Sequence, residues 1–217
     1  MVTKITLIGD IHGVWNKLHE ILRNNWNPCI QIGDLGLGFP RRFKYLDLND
    51  GVLKVREAPP DPKSFPGNFR FIRGNHDNPE VCRNFPNYLG DYGVDKDTGI
   101  FFVSGGYSID IDNRIPGVDW WAEEELSYSQ FNECIDLYEK VKPSIVISHE
   151  CPTSILNIIT KNKSYGPSRT AMALQMMLEI WQPKEWYFGH HHEVWTGNSK
   201  KTKFTCIAIN QCVDISI

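Results

Sequence analysis

The amino-acid sequence predicts an α/β fold, and three observations carry that prediction. Five short apolar runs each stop at a polar residue, amphipathic stretches separate some of them, and the tail is strand-like without intervening helices. Ile5-Thr6-Leu7-Ile8 ends at Gly9-Asp10, and the stretch 14–25 then places Val14, Leu18, Ile21 and Leu22 on one helical face. Cys29-Ile30-Gln31-Ile32 ends at Gly33-Asp34, and Phe69-Arg70-Phe71-Ile72 ends at Arg73-Gly74-Asn75-His76. Residues 99–111 resemble a hairpin around Ser104-Gly105-Gly106. A helix over 129–141, capped by Ser127 or Ser129, turns Phe131, Ile135, Leu137 and Tyr138 inward. Ile145-Val146-Ile147 ends at Ser148-His149. The stretch 168–182 runs from a Ser168 cap to the Pro183 stop, with Met172, Leu174, Met176, Leu178 and Ile180 available for burial. Trp186-Tyr187-Phe188 ends at Gly189-His190, and strands follow over Lys203 to Ile209 and Val213 to Ile217. The expected architecture is a mixed sheet, or two sheets packed face to face with helices outside.

The 217 residues suffice for one domain with a sizeable core, and two full domains would be a squeeze. The segment from about 36 to 66 reads as an insertion loop, with Asn49-Asp50-Gly51 as a hairpin turn signal followed by Pro59-Pro60-Asp61-Pro62. Hydrophobic residues at 41% and charged residues at 23% describe an ordinary globular chain. A net charge of −3 argues against a duplex nucleic-acid partner, which calls for a basic surplus. No stretch is apolar and long enough to cross a bilayer, and Met1-Val2-Thr3-Lys4 leads straight into a strand rather than a secretory leader. The six cysteines form no Cys-x-x-Cys pair and read as reduced thiols, so a cytoplasmic location is expected.

In an open α/β sheet, ligands collect beyond the carboxyl ends of the strands. All five runs put Asp, Asn or His there, the residue types that hold divalent metals: oxygens for hard ions, imidazole for borderline ones. Two adjacent ions need a bridging anion to lower their mutual repulsion, and Asp34 is the natural candidate. Each piece alone is weak. Asn75-His76-Asp77 reads equally as a turn before a helix capped at Asn78, and His149 alone reads as a core histidine. It is their common placement, in one order along the chain, that carries the signal.

Gly9-Asp10-Ile11-His12-Gly13, Gly33-Asp34, Gly74-Asn75-His76-Asp77, His149 and Gly189-His190-His191-His192 resemble the five signature blocks of the calcineurin-like metallophosphoesterases. The resemblance implies a four-layer sandwich of two mixed β-sheets flanked by helices. It implies one metal held by Asp10, His12, Asp34 and His192, and a second by Asp34, Asn75, His149 and His190. His76 is then a non-ligand beside the substrate, acting on the leaving group or the transition-state charge. The metal pair is manganese first, with iron, zinc and nickel as alternatives. The protein serine/threonine phosphatases of this superfamily continue the second block with Val-Asp-Arg-Gly, whereas Asp34 is followed by Leu35-Gly36-Leu37-Gly38, so their phosphate-binding arginine is missing. Trp120-Trp121-Ala122-Glu123-Glu124-Glu125 resembles small phosphoesterases of bacteria and their phages.

Arg73, just before Asn75, is expected to clamp a phosphate with its planar fork. Arg169 opens a predicted helix and is a candidate substrate-binding residue, although most helix starts bind nothing. Arg41, Arg42 and Lys44 read as solvated charge. Trp120 and Trp121 offer stacking or packing, His191 is not counted as a ligand, and His19 reads as structural. The expected reaction is hydrolysis of a phosphomonoester by hydroxide bridging the two metals, with Asp34, Arg73 and His76 as the catalytic set. Phosphodiester, nucleic-acid or nucleoside-polyphosphate hydrolysis on the same site is the alternative, and a silent protein-binding scaffold is the alternative of another class. Substrates would be phosphorylated small molecules, nucleotides or phosphoproteins, selected by loops 36–66 and 104–126.

Overall fold

We describe residues 4–38, 44–46, 53–55, 64–161 and 166–217 of a computed structural model of the chain. The strands are β1 (Lys4–Ile8), β2 (Cys29–Ile32), β3 (Lys44–Leu46), β4 (Leu53–Val55), β5 (Phe69–Ile72), β6 (Tyr92–Val94), β7 (Phe101–Val103), β8 (Ile145–Ser148), β9 (Glu185–Phe188), β10 (Trp195–Ser199), β11 (Thr202–Cys206) and β12 (Cys212–Ser216). The α-helices are α1 (Trp15–Arg23), α2 (Pro79–Arg83), α3 (Tyr128–Val141), α4 (Thr153–Ile159) and α5 (Arg169–Ile180).

Among the described residues the strands form a four-stranded sheet ordered β12-β1-β2-β5, a six-stranded sheet ordered β10-β11-β9-β8-β7-β6, and the pair β3-β4. Both large sheets are mixed: β1, β2 and β5 run parallel with β12 antiparallel at the edge, while β7, β8, β9 and β11 run parallel between antiparallel β6 and β10. Period-two alternation along the strands builds the layers. Ile5 and Leu7 of β1, Ile30 and Ile32 of β2, Phe102, Ile147 and Tyr187 meet in a core between the sheets. The opposite faces, carrying Phe69 and Phe71 on one sheet and Phe101, Val146, Trp186 and Phe188 on the other, pack against helices. Trp15 and Leu18 of α1 and Cys82 of α2 cover the first sheet, and Phe131, Tyr138, Ile155, Leu174 and Met177 of α3–α5 cover the second. The result is four layers, and strands apolar on both faces explain the continuous apolar runs in the sequence.

Several expectations are revised. The hairpin expected around Ser104-Gly105-Gly106 lies earlier: β6 pairs with β7 across residues 95–100. Gly105 serves close approach instead, because a Cβ there would collide with the Glu124 carbonyl. The tail contains an additional strand, β10, which pairs with β11. On α5 the buried stripe is Thr170, Ala171, Ala173, Leu174, Met177 and Leu178, while Met172, Met176 and Ile180 are exposed. That helix is apolar nearly all round, so composition could not choose its buried face. Val14 is likewise exposed, outside α1. Asn78 does cap α2, its Oδ1 accepting from the Glu80 and Val81 amides. The Asn49-Asp50-Gly51 turn and Pro59-Pro60-Asp61-Pro62 lie outside the described residues, as do Arg41 and Arg42, although β3 and β4 on either side of that turn pair antiparallel. Among the described residues no helix is long and apolar enough to cross a membrane.

Helix α3 begins with a capping box: the Ser127 hydroxyl accepts from the Gln130 amide at 3.3 Å, and Gln130 Oε1 accepts from the Ser127 amide at 3.0 Å. Ser127→Ala should lower unfolding stability by about 1 kcal/mol in urea titrations. An unchanged midpoint would mean that water replaces the cap at no cost.

Candidate metal centre

The carboxyl ends of β1, β2 and β5 of one sheet face those of β8 and β9 of the other, and the loops leaving them carry every candidate ligand. Asp10, His12, Asp34 and His192 form one group, and Asp34, His149 and His190 a second; within each, the potential donor atoms all lie within 4.8 Å of one another. Asn75 joins the second group, its Oδ1 lying 3.1 Å from His149 Nε2. Asp34 belongs to both. Its Oδ1 lies 3.2 Å from His149 Nε2 and its Oδ2 lies 3.6 Å from His12 Nε2. In the first group His12 Nε2 and His192 Nε2 approach to 3.0 Å, and His192 Nε2 lies 3.2 Å from Asp10 Oδ2.

Holding these atoms together requires unusual backbone. His12, Asp34, His190 and His192 all adopt left-handed conformations, with φ of 49°, 55°, 65° and 57°. Clustering of this strained state at one place marks a functional region. Gly74 contributes by having no side chain, since a Cβ there would collide with Asp34 Oδ1.

Buried neighbours fix the orientation of each group. His149 Nδ1 lies 3.0 Å from the Ile32 carbonyl, which only accepts, so Nδ1 carries the hydrogen and Nε2 faces Asp34 with its lone pair in the neutral ring. Asn75 Nδ2 donates to the Ser108 hydroxyl at 3.1 Å, and Ser108 hydrogen-bonds to Glu124, which turns the Asn75 oxygen toward His149. Glu150 Oε2 lies 3.6 Å from His190 Nε2, and its Oε1 2.8 Å from His191 Nε2. Buried Gln31 links the two first loops through the Gly9 and Gly33 carbonyls. Asp77 accepts from four backbone amides, Leu35 at 3.1 Å, Gly36 at 2.7 Å, Leu37 at 2.9 Å and Gly74 at 2.8 Å, and so joins the loop after Asp34 to the loop before Asn75.

The electrostatics fit cations. Among the described residues, Asp10 Oδ2 and Asp34 Oδ2 are buried without a hydrogen-bond partner, an arrangement that costs free energy unless a positive charge offsets it. Burial opposes ionisation of Asp34, but the imidazoles of His149, His76 and His12 hold its carboxyl well below the usual carboxylate range. Burial would lower the His149 pKa, yet Asp34 and Asp10 raise it to about 10. The donors are carboxylate, amide and imidazole, a set that suits divalent ions of intermediate hardness.

The remaining predicted residues lie elsewhere. Arg73 is not in the cleft, which corrects its expected role as a phosphate clamp. It is 1% exposed, its Nε donates to Asp91 at 2.9 Å and its Nη1 to the Glu124 carbonyl at 2.8 Å. Arg169 is also taken: its Nε faces Glu125 at 3.4 Å and its guanidinium lies over Tyr128. The anion at that helix start is Glu125 itself, accepting from the Thr170 amide at 2.8 Å. Trp120, Trp121 and Arg169 line a separate pocket of about 200 Å³. His191 joins neither group, and His19 contacts the Phe65 ring. Sequence reasoning missed Ser108, Arg114, Glu124 and Glu150. Arg114 is the arginine that reaches the site, its Nη2 lying 2.9 Å from His76 Nε2. A cleft of about 380 Å³ lies over both groups, lined by Asp34, Asn75, His76, Asp110, Thr160 and His190 among others. A larger groove of about 500 Å³ runs along Glu185, Tyr187 and Val213 and contains none of these residues.

The chain belongs to the calcineurin-like phosphoesterase family, whose model matches residues 3–194. Membership implies divalent metal ions, and the two groups above are the candidate sites for them. Similar solved structures include a putative 5′-nucleotidase from Staphylococcus aureus, at 15% identity and TM-score 0.50, covering 97% of this chain and 50% of that one. They also include a predicted phosphoesterase from Streptococcus pneumoniae, at 14% identity and TM-score 0.44, covering 98% and 83%. A third is a phosphopantetheinyl hydrolase from Mycobacterium tuberculosis, at 10% identity and TM-score 0.40, covering 97% and 92%. At 15% identity the likeness to the first of these is one of fold. No curated protein matches the chain.

Asp77 holds the site without joining it, so its removal is a test of the scaffold. Asp77→Ala leaves four buried amides without an acceptor and should cost roughly 3 kcal/mol of stability in denaturant unfolding. A loss under about 0.5 kcal/mol, the range of neutral surface changes, would mean that the two loops hold their conformation without it.

Proposed function

We propose that the chain is a dinuclear metal-dependent phosphatase that hydrolyses phosphomonoesters. The supporting observation is the Asp34 carboxylate, which directs one oxygen to each of two donor groups while Oδ2 has no hydrogen-bond partner. Asp10, His12, Asp34 and His192 would hold one ion, and Asp34, Asn75, His149 and His190 the other. When bound, the ions supply charge neutralisation at the phosphoryl oxygens and a water of lowered pKa as the nucleophile. The chain supplies the rest. Its buried carboxylates and oriented imidazoles fix where the ions sit, and no protein nucleophile is needed. His76 lines the cleft, its ring centroid 4.8 Å from that of His12, and serves as the acid that protonates the departing oxygen. The cleft suits a small ester. Among the described residues its lining carries the carboxylates Asp110 and Glu193 and no lysine or arginine, which disfavours an extended polyanion.

Metal analysis of chain reloaded with manganese should approach two equivalents, and Asp34→Asn should abolish hydrolysis while leaving the fold intact. Saturation of the unaltered chain at one equivalent would rule out the dinuclear site. A panel of phosphomonoesters, phosphodiesters, dinucleotide polyphosphates and phosphopeptides tests the substrate class, and faster turnover of a diester would overturn the monoester reading.

The role of His76 has a distinct signature. A nitrophenolate departs without a proton, whereas an alkoxide needs one. His76→Ala should therefore lose about a hundredfold or more on an alkyl ester and distinctly less on a nitrophenyl ester. Equal losses on both, with chemistry rate-limiting, would leave His76 without the acid role.

A further inference from the structure

The segment between β7 and α3 brings polar side chains up against Asn75 and His76, and no strand end announces them. Arg114 lies at its centre. Although it sits in a loop, its side chain is only 5% exposed. Its Nε lies 2.8 Å from Asp110 Oδ1. Nη1 lies 3.3 Å from the Asn75 carbonyl, 3.3 Å from the Asp119 carbonyl and 3.4 Å from Glu124 Oε1. Nη2 lies 2.9 Å from His76 Nε2 and 3.4 Å from Nδ1.

We propose that Arg114 is the positioning residue of the reaction, holding the His76 ring at the angle from which it meets the leaving group. The proposal rests on the phosphoesterase reading given above. Three features carry it. First, guanidinium has donors and no acceptor, so in its contact with the imidazole, nearest at Nε2, the arginine is the donor. Second, the contacts close into a ring. Asn75 Nδ2 donates to Ser108, Ser108 bonds to Glu124, Glu124 pairs with Arg114, and Arg114 returns to the Asn75 carbonyl and to His76. Two successive residues of β5's outgoing loop, one a candidate ligand and one facing substrate, are thereby set by a single device. Third, nearly all of the donors are already directed at protein acceptors, with one Nη2 hydrogen beyond the contact to His76. Nε and Nη1 are directed at Asp110, Asp119, Glu124 and Asn75, and only Nη2 reaches His76. An arginine so enclosed orients its neighbour rather than gripping a phosphate, for which a bidentate fork with free donors is required.

Fixing a half-buried imidazole in advance removes freedom that would otherwise be lost at the transition state, and misplacement by about 1 Å can cost on the order of 100-fold. Lysine cannot reproduce the arrangement, because it carries a point charge on a flexible stem in place of a planar fork.

The test is a double-mutant cycle on an alkyl phosphomonoester, with metal content measured for every variant. Arg114→Ala should lower kcat about 10- to 100-fold with KM and metal stoichiometry nearly unchanged. Added guanidinium should restore part of the loss, and Arg114→Lys should restore little. The Arg114→Ala/His76→Ala double variant should be no slower than His76→Ala alone, since a residue that acts through His76 has nothing left to position. The ring nitrogen signals of His76 in metal-free protein, assigned by their absence from His76→Ala, should shift in Arg114→Ala and in Arg114→Lys. Independent, multiplicative losses would overturn the proposal, as would a loss confined to KM, a fall in metal content matching the fall in rate, or unmoved His76 signals. If Arg114→Ala does not fold, the lysine variant carries the cycle and the spectra. Inactivity of the unaltered metal-loaded chain on every ester would instead overturn the phosphoesterase reading, and the His76 spectra would still decide whether Arg114 holds the ring.

Discussion

The structure is organised around a buried carboxylate that the protein alone does not satisfy. Asp34 sits where the two sheets meet, fully enclosed, with one oxygen toward each donor group. A buried charge without full compensation costs several kcal/mol, and Asp10 repeats the problem a few ångströms away. The chain tolerates this because everything around the pair is over-determined. The Asp34 carbonyl accepts from the Ile11 and His12 amides, its Oδ1 accepts from the His76 amide, and Asp77 and Gln31 lock the flanking loops. The left-handed backbone at His12, Asp34, His190 and His192 is held in the same way. The strain and the unmet charge fall at the same place in the chain, and a cation held there would stabilise the folded state.

The layered fold is what allows one carboxylate to serve two groups. In a single parallel sheet the loops at the carboxyl edge form a row, and ligands from distant strands stay apart. Here two sheets stack through Ile5, Leu7, Ile32, Ile147 and Tyr187, so the carboxyl ends of β1, β2 and β5 oppose those of β8 and β9. His149 then reaches across, its Nδ1 bonded to the Ile32 carbonyl of the opposite sheet. The His190 amide does the same toward Asp10 at 3.3 Å. The core between the sheets thus sets the spacing of the two candidate donor groups, and core packing and site geometry are one problem.

That division explains what was legible in the sequence. Strands apolar on both faces and ended by Asp, Asn or His can be read locally, so the strand framework and the cluster of site candidates emerged together. Residues acting across large sequence distances could not. Arg114 meets His76 over 38 positions, and nothing at Arg114 itself distinguishes it from a surface arginine. Arg73 was misread for a different reason, and a signal was available. Phe69 and Phe71 face the helix layer, and strand alternation puts Arg73 on that same side, toward Tyr88 and Asp91 and away from the cleft. Proximity to a motif in sequence says little about direction, whereas strand parity does. The exposed Met172 and Met176 stripe of α5 shows the opposite limit, since a helix apolar on most faces carries no parity to read.

The two arginines also determine where anion affinity in the cleft must come from. Arg73 is paired with Asp91, and Arg114 with Asp110, while the pKa of Glu124 beside Arg114 is pushed up to about 8 by burial. Arg169, the third arginine expected near substrate, is neutralised by Glu125. None of these three presents an unpaired charge to a phosphoryl group. The cleft itself is lined by Asp34, Asp110 and Glu193, so without cations its field opposes a dianionic ester. On the proposed reading, affinity for a phosphoryl group would then depend on cations at the two donor groups, and these three arginines would serve geometry. This separates two functions that a single exposed arginine would combine. On the proposed reading, charge complementarity would reside in ions at the Asp10 and Asp34 groups and orientation in the Arg114–His76 contact, so each could be lost without the other.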